Sequence, residues 1–485
     1  MPFLDNHPEV VVLRKLAAKR SLRLYGVGGF LRDMAVAAKE DSPAKDLDFA
    51  VSSGAIGLAR AFARAIHGAF VVLDEEMGCA RVVRQAEGEV KVFDFSDLRG
   101  KTLPADIRRR DFTVNALALD LLTFDGRKPL LPQVRDLCGA REDIRRKRVR
   151  MVAPGAFLDD PLRLLRAYVL KAQYGFSIER ATLVRIKQDC ARINTVAAER
   201  VREELFRILD TPRAGASFKA MSQSGLLLAI FPQMAGMRGV GKGGYHHLNV
   251  LEHSLCVLTE LEELIAATAA ADFELNGYLS ETVAGGHSRR ALLKLACLLH
   301  DVGKPDTRKE EPGGRVSYHG HERVGQRIVR AIARNLRISD RERYALEDMV
   351  ALHLRPGYLA NFSQASERMV FRFMRDARKE AVSILLLAIA DQRATRGPLT
   401  TPERVAHLES ILFPLVHRYF TDQREKPFIC LLNGHDLIKD LQLKPGPDFA
   451  RILREVAEAQ HLGKITTKEE ALLLAEKTVK VSGES

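Results

Sequence analysis

The chain has 485 residues, 46% of them apolar, and its 75 Lys+Arg outnumber its 62 Asp+Glu by 13. That length exceeds one hydrophobic core and predicts about two to four domains, while the basic balance predicts an attraction for phosphate polyanions. The absence of tryptophan leaves few stacking platforms, which disfavours unstructured single strands against a shaped, duplex-rich nucleic acid.

The N-terminal "MPFLDNHPEVVVLRK" has no basic region ahead of a signal-like apolar run. The longest apolar run, "AVSILLLAIA" (381–390), ends at Asp391 and is too short to span a bilayer. Six scattered cysteines without a C-x-x-C pair argue against a zinc ribbon or a disulfide framework. A soluble, cytoplasmic protein without a membrane partner is expected.

In chain order, "LRLYGV" and "DLDFAV" read as strands, "IGLARAFARAIHG" as a helix closed by glycine, and "AFVVLD", "CARVVRQ" and "EVKVFDF" as further strands. From about residue 140 the pattern turns helical, as in "PLRLLRAYVLKAQYGF", "ERATLVRIKQDCARI" and "AAERVREELFRIL". A basic run, "REDIRRKRVR" (141–150), opens that region. The glycine-rich "MRGVGKGGYHH" (237–247) reads as a boundary, and "TRGPLTTPE" breaks the second helical block. The fold class expected is α+β: an α/β head followed by helical domains. The boundaries are a head over 1–138, a neck over 139–236, a metal-binding helical domain over 245–400 and a helical tail over 401–485.

In a strand, residues two apart share a face, so Asp46 and Asp48 project together while Leu47 and Phe49 turn to the core. Two carboxylates on one face repel unless cations sit between them, and Mg²⁺ suits such a site because it completes its shell with phosphate oxygens and water. Upstream, Gly28 and Gly29 allow a triphosphate to approach the backbone, the helix starting near Phe30 offers its N–H groups, and Arg32 lies on its first turn. A third carboxylate is Asp94 or Asp97; Asp94 is favoured because Val90, Val92 and Asp94 form one alternating set.

"GVGGFLRDMAV" and "KDLDFAV" followed by "RRRDFTVNALALD" (108–120) closely resemble the class II tRNA nucleotidyltransferase and bacterial poly(A) polymerase family. Its pattern is G-G-x-x-R-D, then D-x-D, then R-R-D-F-T-x-N-A-L. "DDPLRLLRA" (159–167) resembles the family's nucleotide-selecting E-D-x-x-R motif, and "ERVREELFRIL" (199–209) its helix-stabilising E-R-x-x-x-E-L element. The resemblance implies a polymerase-β-like head in which Asp46, Asp48 and Asp94 carry catalysis, with Mg²⁺ on Asp46 and Asp48. It implies Gly28, Gly29 and Arg32 at the triphosphate, and Arg110 and Asp111 at phosphate and ribose. It also implies Asp160, Arg163 and Arg166 at the edge of the incoming base. Substrates would be tRNA, CTP and ATP, with C and A added to the tRNA 3′ end without a template. Two departures stand out. Val169 occupies a place where family members commonly carry arginine, and the segment "FSDLRGKTLPADI" before Arg108 is short, which raises a partial adder of C or of A as the alternative. A poly(A) polymerase is the other close alternative.

The helical block after residue 245 places His253 in "HHLNVLEHSL", the dyad His300–Asp301 in "LLKLACLLHDVGK", and Asp391 at the end of "LLLAIAD". Imidazole and carboxylate ligands together suit a divalent transition metal, and His321 and His353 could serve a second ion. The order resembles the HD phosphohydrolase superfamily, which implies Ni²⁺, Co²⁺ or Mn²⁺ and a phosphatase or phosphodiesterase activity. A phosphohydrolase whose head only binds nucleotide is a more distant alternative. The tail from "LLNGHDLIKDLQLKPGPDF" onward resembles that of HD-bearing tRNA nucleotidyltransferases and implies a grip on tRNA.

Overall fold

The computed structural model describes residues 7–37, 46–86, 88–100, 102–240, 248–268, 271–312, 316–362, 365–397, 400–424 and 428–483. Part of the expected glycine-rich boundary (241–247) and of the "TRGPLTTPE" break (398–399) lies outside these residues. Two compact units form: residues 1–211 with 217–230, and residues 212–216 with 231–485.

The first unit is built on a seven-stranded mixed sheet, as the α+β reading expects. Its strands are β1 (Leu24–Val27), β2 (Asp46–Val51), β3 (Ala69–Asp74), β4 (Cys79–Ala86), β5 (Glu89–Asp97), β6 (Leu117–Asp120) and β7 (Arg135–Asp136). The order is β3-β4-β5-β2-β1-β6-β7, with β2 and β5 parallel and the other neighbours antiparallel. Alternation sets the two faces. Phe49, Phe93 and Phe95 turn to one side, where Phe62 of the amphipathic helix Ala55–Ile66 meets Phe93 and Phe95 at 5.2 and 5.6 Å. The acids at 46, 48 and 94 are thereby turned to the other face. That helix ends one residue earlier than the glycine suggested: His67 takes the left-handed cap (φ 53°), and Gly68 N–H donates to the Ala63 carbonyl at 2.9 Å.

The charges of the basic run 141–150 are largely paired within the chain. Arg145 and Arg146 pair with Glu142, and Arg148 and Arg150 converge on Asp143, which is fully buried and also accepts from the Thr113 hydroxyl at 2.7 Å. Thr113 lies in "RRRDFTVNAL", so Asp143 ties the head's last motif to the segment after it. Asp143→Ala leaves two guanidinium groups and a hydroxyl short of their shared acceptor; a loss of about 3–5 kcal/mol in chemical denaturation is expected.

The second unit is helical. Its core carries the helices Val250–Thr268, Arg289–Leu299, His321–Asn335, Asp340–Leu352 and Ala381–Ala394. The last contains "AVSILLLAIA", every residue of which is buried, so it is a core helix. Among the described residues no helix is long and apolar enough to cross a membrane. The helices Gly434–Lys439, Pro447–His461 and Lys468–Gly483 enclose a small separate core around Leu437, Ile452 and Val456. Glu458 links that core to the helix Glu367–Ala377, where Arg368 and Arg372 both pair with it.

Candidate active sites

The acid-bearing face of the sheet lines a cleft of about 770 Å³ within the first unit, a size that fits one nucleotide. Parallel pairing puts Asp48 in register with Asp94, and Asp46 with Val92, so the three carboxylates share that face. Asp97 sits on the opposite face, where it accepts from the Ala55 N–H at 2.8 Å and starts the helix Ala55–Ile66. Burial first, and the Asp94 charge second, push the Asp48 carboxyl up to about 6. Gly28 makes the approach to Asp48 possible: it has φ +86°, and a Cβ there would lie 2.3 Å from Asp48 Oδ2. The next N–H, that of Gly29, donates to the Asp48 carboxylate and partly offsets its burial.

Arg32 lines the cleft but is already engaged. Its Nη1 donates to Asn115 Oδ1 at 2.6 Å and its Nη2 to the Tyr174 hydroxyl at 2.7 Å. Asn115 donates in turn to Asp111 at 3.1 Å, and Arg166 pairs with the same carboxylate at 3.0 Å. Burial pushes Asp111 up, yet Arg166, the Phe112 N–H and Asn115 together hold it below the ordinary range. Arg110 lies against Asp106, which also accepts from the Arg99 N–H.

The nucleotide-selecting motif occupies the other wall. Asp160 caps the turn at the Leu162 N–H and pairs with Arg200 at 2.9 Å. Arg163, the first residue of the helix Arg163–Tyr174, is 4% exposed and gives its terminal nitrogens to the Arg109 and Ala156 carbonyls at 2.7 and 3.0 Å. It therefore locks this helix to the "RRRDF" backbone, and part of its donor capacity is consumed before any base arrives. Val169 is buried and does not line the cleft, and the residues of that helix lining the cleft farther on are Gln173 and Tyr174.

Sequence reasoning missed several of these positions. Arg81 grips Asp94 with two hydrogen bonds of 2.7 and 2.8 Å, and only strand register places it there. Asn115, Arg200 and Glu204 lie inside recognised motifs and carried a signal. Their partners are what the motif could not specify: Arg200 orients Asp160, and Glu204 sits between Arg166 and Arg207.

The second unit gathers a tighter cluster. One ligand atom each from His253, His300 and Asp391 lie within 4.8 Å of one another, as do those of Asp301, His321 and His353. The head carboxylates do not converge this closely. Asp301 joins the two sets, with Oδ2 3.2 Å from His300 Nε2 and Oδ1 3.3 Å from His321 Nε2. Gly303 of "HDVGK" permits the junction, since a Cβ there would fall 2.2 Å from the His321 carbonyl.

The ring hydrogen bonds define what this cluster can bind. Nδ1 of His300, His321 and His353 each faces a backbone carbonyl at 2.7–2.8 Å. A carbonyl only accepts, so each Nδ1 carries a proton, and each ring in its neutral form presents a lone pair at Nε2. His321 Nε2 and His353 Nε2 then face one another at 3.3 Å, and His300 Nε2 lies 3.2 Å from Asp301 Oδ2, which Lys304 Nζ also approaches to 2.6 Å. Burial above all pushes His353 down to about 3, so its ring is neutral. Lone pairs aimed at a common centre beside two carboxylates are the donor set of a divalent transition metal.

Comparison with known proteins covers both units. The profile of the poly(A) polymerase head domain matches residues 24–150, the probable RNA and SrmB-binding site of polymerase A matches 175–237, the HD domain 250–396, and tRNA nucleotidyltransferase domain 2 matches 430–475. The chain is 34% identical over 454 residues to the A-adding tRNA nucleotidyltransferase of Deinococcus radiodurans, covering 92% of this chain and 93% of that one. It is 31% identical over 454 residues to the CC-adding tRNA nucleotidyltransferase of Thermus thermophilus, covering 92% of each. In fold it is similar to the Thermotoga maritima CCA-adding enzyme complexed with tRNA, at a TM-score of 0.59 and 18% identity over 97% of this chain and 94% of that one.

Proposed function

Since this chain belongs to the tRNA nucleotidyltransferase and poly(A) polymerase family and is a nucleotidyltransferase that works with divalent metal, we propose that it adds C and A nucleotides to the 3′ end of tRNA from CTP and ATP, releasing pyrophosphate. One observation carries the reading: a single cleft has the Asp46–Asp48–Asp94 face on one wall and the Asp160–Arg163–Arg166 helix start on the other.

In this reading Asp46 and Asp48 hold Mg²⁺, with Asp94 as the third acid. The raised Asp48 carboxyl and the shared face of the three acids fit a divalent cation. Bound there, Mg²⁺ supplies acidity to the attacking 3′-hydroxyl and charge balance for the departing pyrophosphate. The turn at Gly28 and Gly29 and the Arg32 guanidinium receive the triphosphate, while Arg110 and Asp111 face phosphate and ribose. Asp160 accepts from an exocyclic amine of the base, and Arg163 and Arg166 donate to its ring nitrogen or carbonyl. Cytosine and adenine both present an amine there; guanine and uracil present a carbonyl instead. Arg200 and the Arg109 and Ala156 carbonyls hold the selecting pair in fixed orientation. The tail helices would bind the tRNA body.

A second reading, addition of C alone or of A alone, is favoured by the full-length relatives named CC-adding and A-adding. The short segment before Arg108 supports it too, since it closes into the one-turn helix Leu103–Ile107. Purified protein given tRNA transcripts ending before CCA, after C and after CC, each with single labelled nucleotides, separates the readings. Sequential CTP and then ATP incorporation is expected. Label from ATP alone on the CC-ending transcript identifies an A-adder, label from CTP alone a CC-adder, and no incorporation anywhere would sink both.

The cluster in the second unit is read as a metal-dependent phosphohydrolase centre. His253, His300, Asp301 and Asp391 would hold one divalent transition metal ion, Ni²⁺, Co²⁺ or Mn²⁺, and His321 and His353 a second shared through Asp301. Such an ion supplies a hydroxide nucleophile at neutral pH. Lys304, 2.6 Å from Asp301 Oδ2, neutralises the carboxylate until the ion binds.

A further inference from the structure

One face of the helix His321–Asn335 carries Arg323, Arg327, Arg330 and Arg334, spaced i, i+4, i+7 and i+11. At 3.6 residues per turn these fall on one stripe about 16 Å long. The opposite face, through Gly325, Val329, Ile332 and Ala333, is buried, so the stripe points outward. Arg341, near the start of the next helix, Asp340–Leu352, is exposed as well. Among the described residues Arg323, Arg327, Arg334 and Arg341 are exposed and have no acidic side chain within ion-pairing distance, whereas Arg330 reaches Glu347 at 2.7 Å.

This arrangement works against the fold. Like charges at i, i+3 and i, i+4 destabilise a helix by about 0.2–0.5 kcal/mol per pair, and Arg323 and Arg327 form such a pair with no acid to offset either, while Arg330 between Arg327 and Arg334 is offset by Glu347. The cations are also of one kind: no lysine occurs between Lys309 and Lys379. Arginine's planar fork matches phosphate oxygens better than an ammonium does. Tyr344, three residues beyond Arg341, is 57% exposed and has the Arg343 guanidinium 4.2 Å from its ring centroid, an aromatic and cationic pair of the kind on which a base stacks. The other arginine-rich patch of this unit differs: Arg355 and Arg375 pair with Asp376, and Arg368 and Arg372 with Glu458. Those charges are used internally; those of Arg323, Arg327, Arg334 and Arg341 are not.

We propose that the Arg323–Arg327–Arg334 stripe, continued by Arg341 and Tyr344, is an RNA-binding surface of the second unit that takes the phosphate backbone of a structured RNA. That this RNA is tRNA rests on the function proposed above; the surface itself rests on the unpaired arginines.

The test is the triple variant Arg323→Gln/Arg327→Gln/Arg334→Gln in the full chain, with binding to a tRNA transcript lacking CCA followed by fluorescence anisotropy across a salt series. Affinity at low salt is expected to fall about tenfold or more, and the slope of log K against log salt to become shallower by about 2 to 3. Nucleotide incorporation at saturating tRNA should be unchanged. The melting temperature should hold or rise, since a repulsion is removed and no partner is lost. The corresponding triple lysine variant should recover most of the salt slope. Unchanged affinity and slope in the glutamine variant would overturn the proposal. So would intact tRNA binding with loss of binding to vesicles containing phosphatidylserine, which would assign the stripe to an anionic membrane. If the wild-type chain bound RNA through the stripe but extended no tRNA, this surface would stand and the function above would fall.

Discussion

Asp48→Asn is expected to abolish nucleotidyl transfer, by about a thousandfold or more, and at the same time to raise the melting temperature of the metal-free protein. The first effect follows if the carboxylate is a metal ligand at the reacting phosphate, since removing one anionic ligand strips stabilisation from the developing charge. The second follows from what the carboxylate costs when no cation is present. Burial and the Asp94 charge move Asp48 from an ordinary carboxylate value up to about 6. A folded-state value above the unfolded one means that the folded chain binds the extra proton between roughly pH 4 and pH 6. Metal-free stability is therefore greatest below that window and falls as pH rises through it. At neutral pH the charged side chain costs about 2–3 kcal/mol, which asparagine removes. Melts of both proteins in EDTA from pH 5 to pH 8 check this. The variant should melt a few degrees higher at pH 7.5, and the difference should close near pH 5. An active variant, or one that melts lower at pH 7.5, would contradict the reading.

The other large effect is expected at the second centre. His300→Ala should lose the transition metal and, with it, phosphate release from phosphomonoesters or 2′,3′-cyclic phosphates by about a hundredfold or more, while tRNA extension persists. His300 is fully buried; its role in the fold is ring volume, the Nδ1 contact with the Cys297 carbonyl and an Nε2 contact of 3.2 Å with Asp301 Oδ2. A ligand that binds only the folded state at about a hundred times its dissociation constant adds roughly 2.7 kcal/mol. Wild-type protein should therefore melt higher when Mn²⁺, Co²⁺ or Ni²⁺ is added, and the variant should not. His321→Asn, which spares His300, should lower bound metal without abolishing it. Wild-type protein that neither hydrolyses phosphate esters nor gains stability with any of these ions would reduce the cluster to a packing remnant.

The strands of the head, the helical nature of everything after about residue 140, and the shared face of Asp46 and Asp48 were legible in the sequence. Each is a property of side-chain period, which a short window of chain already expresses. The order of the glycine pair, the D-x-D, "RRRDFTVNAL" and "DDPLRLLRA" was equally legible, and so was the H, HD, D series, because motif order survives without knowledge of contacts. The family that those motifs resemble is the family to which the chain belongs.

What needed the tertiary structure was the partner of each charged group. Parallel pairing of β2 with β5, across more than forty residues, sets Asp94 beside Asp48 and sends Asp97 to the far side to start a helix. Arg163, expected to face the base, gives much of its donor capacity to two carbonyls, and the basic run 141–150 closes mostly on Glu142 and Asp143. His321 and His353 meet over Asp301 only because Gly303 lets two helix ends approach to backbone contact. The physical reason is the same in each case. Periodicity fixes which way a side chain points, but whether its charge is spent on a neighbour or left for a ligand depends on which carbonyl or carboxylate the fold brings opposite it.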